Sequence, residues 1–119
     1  MTESFPKYIY KIVDAKHWQK AQGEINLPPM PIDEADGYFH FSTHAQLTKT
    51  LELYFAGQKD VAILAVEVAP LAQNIKWEPS RGGDLFPHIY AELPMSAIVR
   101  KDFVDVDPNG QCALPSSVV

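Results

Sequence analysis

Residues 61–68 run almost unbroken in apolar side chains, and Glu67 is their only charge. A run this short, rich in β-branched residues and closed by Pro70, suits a strand covered on both faces. Such a strand needs partners beside it and layers above and below it. The chain therefore has to be a layered structure with residues 61–68 near the middle of a sheet.

The remaining elements follow from local signals. Lys7-Tyr8-Ile9-Tyr10-Lys11-Ile12-Val13 is aromatic and β-branched and reads as the first strand. Lys11 shares a strand face with Ile9 and Val13, so its ammonium has to reach an edge or find a partner. Asp14 suits an N-cap for a short helix over 15–22, with Trp18 and Ala21 inward, His17 on the surface and Gly23 as the stop. Residues 26–35 hold Pro28, Pro29 and Pro31, which predicts an ordered loop without a helix. A helix over 44–56 carries Leu47, Leu51, Tyr54 and Phe55 at helical spacing and stops at Gly57. Residues 75–78 form a short edge strand before Pro79, and residues 80–87, with Gly82-Gly83, form a loop. Residues 88–93 alternate as a strand, and 97–106 give a last strand with a bulge expected near Lys101-Asp102. The expectation is one α+β domain over 1–119, with a mixed or antiparallel sheet and two main helices. Its core covers about 7–106, followed by a loosely held tail over 107–119.

The chemistry concentrates in Asp36-Gly37-Tyr38-Phe39-His40-Phe41-Ser42-Thr43, with Gln46 just beyond. In an extended chain Tyr38, His40 and Ser42 face one way while Phe39 and Phe41 face the other. Thr43 and Gln46 have capping-box spacing for the helix that follows. Ser42 thus lies beside a helix start, where backbone N–H groups favour an anion. His88, Tyr90 and Glu92 repeat the design on a second strand, with Ile89, Ala91 and Leu93 on the opposite face. If both polar faces line one cleft, histidines able to move protons stand beside tyrosines able to stack or hydrogen-bond. Arg81 in the Gly-rich loop is suited to clamping a phosphate or carboxylate. The candidate ligand-binding residues are His40, Ser42, Thr43, Arg81, His88 and Tyr90, and the candidate catalytic groups are His40 and Glu92. The alternation is also what any half-exposed antiparallel strand shows, and Trp77 reads as a packing residue.

Other function classes are excluded or disfavoured. His40 and His44 straddle a strand–helix junction, and with one cysteine and no acidic cluster nearby no metal site is expected. Dinucleotide and P-loop fingerprints are absent, as is a nucleophile elbow. The net charge of −5 argues against an extended nucleic-acid surface. The first six residues lack a secretory pattern, no apolar run is of spanning length, and Cys112 is the single cysteine. Those three features predict a cytoplasmic protein that does not span a membrane.

Tyr10-Lys11-Ile12, Trp18, the 36–43 motif with Gln46, Trp77-Glu78 and Phe86-Pro87-His88-Ile89-Tyr90 together resemble the bacterial domain-of-unknown-function family 952, up to about Val104. Membership implies a fold and no established activity. A more distant resemblance is to the RNA 2′-phosphotransferases, relatives of the ADP-ribosyltransferases, whose H-x-H-x-S strand resembles Tyr38 to Ser42, with His40 and Ser42 on matching positions. That resemblance implies an ADP-ribosyltransferase-like split sheet with a cleft, NAD as cofactor, and Glu92 as a group to stabilise an oxocarbenium charge. Lys11-Ile12-Val13 stands where that family carries His-Gly-Thr, and Tyr38 replaces the first His of the later motif. Two readings stand together: a cleft for a nucleotide-like or phosphorylated small molecule, as in a divergent enzyme, and a non-catalytic ligand- or protein-binding module on the same fold. The sequence does not choose between enzyme and module, and it says nothing of oligomeric state.

Overall fold

The computed structural model describes residues 6–118. The described chain is α+β, with six strands in two three-stranded antiparallel sheets and three short α-helices. The first sheet joins β1 (Tyr8–Val13), β3 (Val61–Glu67) and β6 (Ile98–Val104), with β3 in the centre. The second joins β2 (Phe39–His40), β5 (Leu85–Ile89) and β4 (Ile75–Pro79), with β5 in the centre.

β3 meets the expectation for its apolar run: Val61 to Val66 are buried, and their side chains divide between two apolar clusters, one on each face. Ala62, Leu64 and Val66 pack with Ile9, Val13, Phe39 and Ile89, while Val61, Ile63 and Ala65 pack with Tyr10, Ile12, Leu47 and Leu51. Each fully buried aliphatic side chain contributes about 1.5–3 kcal/mol. α1 (Ala15–Ala21) is capped by Asp14, whose carboxylate accepts from the His17 amide at 2.7 Å. α3 (Leu47–Tyr54) follows a 3₁₀ turn over His44–Gln46 and covers the second cluster with Leu47 and Leu51.

Three expectations about secondary structure are corrected. The proline-rich stretch contains a helix, α2 (Pro31–Asp36), because Pro31 falls in its first turn, where a missing N–H costs nothing. Gly37, at φ +82°, ends it. β5 begins inside the predicted loop and ends at Ile89, so Pro87 lies in a central strand. The N–H that proline lacks would lie on the same side as its carbonyl, which accepts from the Phe41 amide at 3.0 Å just past the end of β2, so the missing donor falls outside that ladder. The irregularity in β6 lies earlier than Lys101-Asp102: Ala65 pairs with Arg100 and Val66 with Ile98, which leaves Val99 as the extra residue.

Residues beyond β6, expected to be loosely held, pack along the first sheet. Val118 is buried with Val104 and Val106, and Ser117 Oγ donates to Asp102 at 2.7 Å. Gly110 passes close to the α3 backbone at Glu52. Val119 lies outside the described residues.

An isolated bridge between Tyr10 and Ser42 joins the first sheet to the segment that follows β2. The Tyr10 amide donates to the Ser42 carbonyl at 2.9 Å, and the Ser42 amide returns the bond to Tyr10 at 2.8 Å. Beyond this bridge β1 and β2 part, and the site lies in the opening.

Candidate functional site

β2 and β5 pair in a register that sets Phe39 opposite Ile89 and His40 opposite His88. Directly opposed residues share a face. Phe39 and Ile89 are buried in the core, and the two histidines emerge on the other side. Their ring centroids are 5.4 Å apart, near perpendicular. Tyr38 lies against both, 4.2 Å from His88 in a stacked arrangement and 4.6 Å from His40, and it is 5.0 Å from Tyr90.

Each histidine is oriented by carboxylates. His88 Nδ1 lies 2.8 Å from Glu78 Oε1 on β4, and the Tyr90 hydroxyl donates to the same oxygen at 2.8 Å. The bonds from His88 and then Tyr90 hold Glu78 below the ordinary carboxylate range. In return the bond to Glu78, followed by desolvation, pushes Tyr90 up to about 12. His40 Nδ1 lies 2.8 Å from Asp33 Oδ1, and its Nε2 lies 2.8 Å from Asp36 Oδ2. Both carboxylates come from α2, the helix that the prolines concealed.

Asp33 is also the partner that Lys11 needed. The Lys11 ammonium lies 2.9 Å from both carboxylate oxygens, and the two side chains are 3% and 1% exposed. Burial pulls Lys11 below the usual lysine value, and Asp33 restores part of that loss. Burial alone would raise Asp33. The His40 hydrogen bond and the Lys11 charge outweigh it and hold the carboxyl at about 2.

A third polar group closes the opening from the α3 side. Arg81 Nη1 donates to Thr50 Oγ1 at 3.2 Å, and its guanidinium lies 4.9 Å from the centre of the Phe86 ring. Thr50 Oγ1 also lies 3.3 Å from Ser42 Oγ and donates to the Gln46 carbonyl at 3.0 Å. His40, Ser42, Thr50, Arg81 and His88 line one cavity of about 530 Å³, with Tyr38 and Phe86 as its aromatic walls. That volume falls within the range of small-molecule sites.

The family model described as "Protein of unknown function (DUF952)" matches residues 12–101. The chain belongs to the DUF952 family. A crystal structure of protein CC0527 from Caulobacter crescentus is 37% identical, with a TM-score of 0.84 over 93% of this chain and 97% of that one. A solution NMR structure of CC0527 is 39% identical, with a TM-score of 0.76 over 87% of this chain and 89% of that one. No curated protein matches the sequence.

In this DUF952 chain the predicted residues separate into two groups. The fold brings His40, Ser42, Arg81 and His88 to one cavity, with Tyr90 joined to it through Tyr38 and Glu78. Thr43 caps the turn before α3: its amide donates to Gln46 Oε1 at 3.0 Å, and it does not line the cavity. Glu92 points elsewhere, accepting from Asn26 Nδ2 at 2.8 Å. Trp77 packs against the core, as read. His17 is tied to the proline-rich segment, its Nε2 2.6 Å from the Pro28 carbonyl. Sequence reasoning missed Asp33, Asp36, Thr50 and Glu78. For Asp33 the available signal was Lys11 on an apolar strand face, which had to reach an edge or find a partner; Asp36 and Glu78 stood in the 36–43 and Trp77-Glu78 motifs without an assigned role. Among the described residues no cluster of His, Cys, Asp or Glu is placed to hold a metal ion, and no helix is long and apolar enough to cross a membrane.

Proposed function

We propose that the cavity binds a small phosphorylated, nucleotide-like molecule, with Arg81 taking its anionic group and the Tyr38–His88 wall flanking its ring. The observation that supports this reading most is the convergence of Arg81, Ser42 and Thr50 hydroxyls, and two carboxylate-held histidines on one cavity of about 530 Å³. Among the described residues Arg81 makes one side-chain hydrogen bond, to a hydroxyl, which leaves further guanidinium donors for a ligand. His40 is the residue suited to acid–base work: buried Asp33 orients it through Nδ1, and its Nε2 faces only the exposed Asp36 carboxylate, which a ligand can displace.

The residues do not fit NAD chemistry of the kind the distant resemblance implies. Lys11 spends its ammonium on Asp33, while Ile12 and Val13 are buried in the core, so the three positions that match His-Gly-Thr offer no ring or hydroxyl to a nicotinamide ribose. An ADP-ribosyltransferase-like ancestry is part of the proposal, with the cleft repurposed for another phosphorylated ligand. Glu92 has no role in this reading.

The test is a titration with AMP, ADP-ribose and inorganic phosphate, followed by backbone amide shifts and melting temperature. Shifts concentrated at Ser42, Thr50 and Arg81, weakened at least tenfold in Arg81→Ala, are expected. No response at millimolar concentration of any of the three overturns the proposal. A protein partner recovered in stoichiometric amount, and lost in His40→Ala, would favour the binding module instead.

A further inference from the structure

The most firmly held polar group beside the cavity is the Asp33 carboxylate. Its Oδ1 accepts from the His40 amide at 3.1 Å and faces His40 Nδ1 at 2.8 Å, and its Oδ2 accepts from the Met30 amide at 2.9 Å. Lys11 reaches both oxygens from β1. The other partner of His40, Asp36, differs in one respect: its side chain is 44% exposed, against 1% for Asp33. The remaining rings against it, among the described residues, are Tyr38 just before β2 and His88 on β5.

A carboxylate only accepts, so each of the two contacts requires a hydrogen on the ring nitrogen that makes it, and a neutral imidazole carries one. When the ring is neutral, one contact must be given up. Surrendering the Asp33 bond would set a bare Nδ1 lone pair 2.8 Å from a buried carboxylate oxygen that still accepts from Lys11 and the His40 amide and cannot turn away. Asp36 can turn to solvent at little cost.

We propose that Asp33, backed by Lys11, is a positioning residue. It locks the neutral His40 ring in its Nδ1–H form and thereby turns a bare Nε2 toward the cavity, with Asp36 as the exchangeable partner of that nitrogen. The ligand group this selects is a hydroxyl or other O–H donor at His40 Nε2, displacing Asp36. The assignment of that group rests on the ligand-binding reading above, whereas the ring orientation does not.

The ring orientation is read without ligand, from two-bond ¹H–¹⁵N correlation spectra of the uniformly labelled protein at a pH where the imidazoles are neutral. His17 provides an internal reference, because its Nε2 faces the Pro28 carbonyl and must carry the hydrogen. We expect His40 to show the Nδ1–H pattern, and Asp36→Asn to leave that pattern unchanged. The single change Asp33→Leu strands Lys11, so the acceptor is removed in the paired variant Lys11→Met with Asp33→Leu, where the Nδ1–H preference should disappear. An Nε2–H pattern for His40 in the unsubstituted protein overturns the proposal, as does an unchanged pattern in the folded paired variant. If the paired variant does not fold, the spectra of the unsubstituted protein and of Asp36→Asn decide. Because no ligand enters this measurement, its failure is distinct from a failed titration.

Discussion

Lys11 on β1 and Asp33 on α2, twenty-two positions apart, meet as a buried ion pair at 2.9 Å. This one contact fastens the proline-rich helix to the first sheet and places its carboxylates beside His40. A buried pair need not stabilise relative to an apolar pair, but losing one partner leaves an uncompensated charge.

That asymmetry gives the first prediction. Lys11→Met or Asp33→Leu alone should each lower unfolding free energy by about 3–5 kcal/mol, and the two together should cost clearly less than their sum. Urea denaturation of the four proteins measures this. Single variants within about 1 kcal/mol of the parent would show that the pair contributes little.

Acid should erode the same pair. Asp33 is depressed from 3.8 to about 2, so the stability it contributes is fully present above its unfolded value and is lost as pH falls through its folded value. Lys11 stays protonated throughout that window and adds nothing to the slope. The expected loss is on the order of 2 kcal/mol as pH falls from 3.8 to about 2, and it should be absent from the paired Lys11→Met, Asp33→Leu variant. Denaturation midpoints measured across this range in both proteins give the answer.

Tyr90 provides an alkaline counterpart. Its phenol is raised to about 12 chiefly by donating to Glu78, so Glu78→Gln should bring it back toward 10.0. The sign is that of a raised group: the stabilising bond is intact below the unfolded value and is lost as pH rises through the folded one. The pH dependence of the Tyr90 ring resonances, compared between the two proteins, is the readout. An unmoved midpoint in Glu78→Gln would remove Glu78 as the cause.

Gly110 tests the packing of the segment beyond β6. Its φ is +86°, and an added Cβ would lie 2.7 Å from Glu52 Cγ and 2.9 Å from Glu52 Cα on α3. Gly110→Ala should therefore cost roughly 1–3 kcal/mol. It should leave any ligand response of the cavity unchanged, since neither Gly110 nor Glu52 lines it. A neutral substitution would mean that this segment gives way easily.

Several parts of this architecture were legible because they depend on near neighbours in the chain. The apolar run in β3, the Asp14 cap, the Thr43–Gln46 capping box and the alternation that sets His40 and His88 apart from Phe39 and Ile89 are all written within a few residues. Pro31 misled because proline breaks a helix interior yet suits a first turn, and only the position of the N-cap separates the two cases. Pro87 misled in the same way: its place in a central strand depends on the neighbouring β2 ending before the point where the missing N–H would be needed.

The sequence by itself determined which side chains face the core and which face away, since strand parity and helical period are local properties. It also showed that the Lys11 ammonium had to reach an edge or find a partner. Only the tertiary structure decided that the partner is Asp33, that His40 stands opposite His88, and that Arg81 reaches Thr50 across thirty-one positions. Strand register and helix docking depend on contacts between segments remote in sequence. No local pattern encodes those, and the 36–43 segment becomes one wall of a cavity only when β5, α2 and the Arg81 turn are folded together.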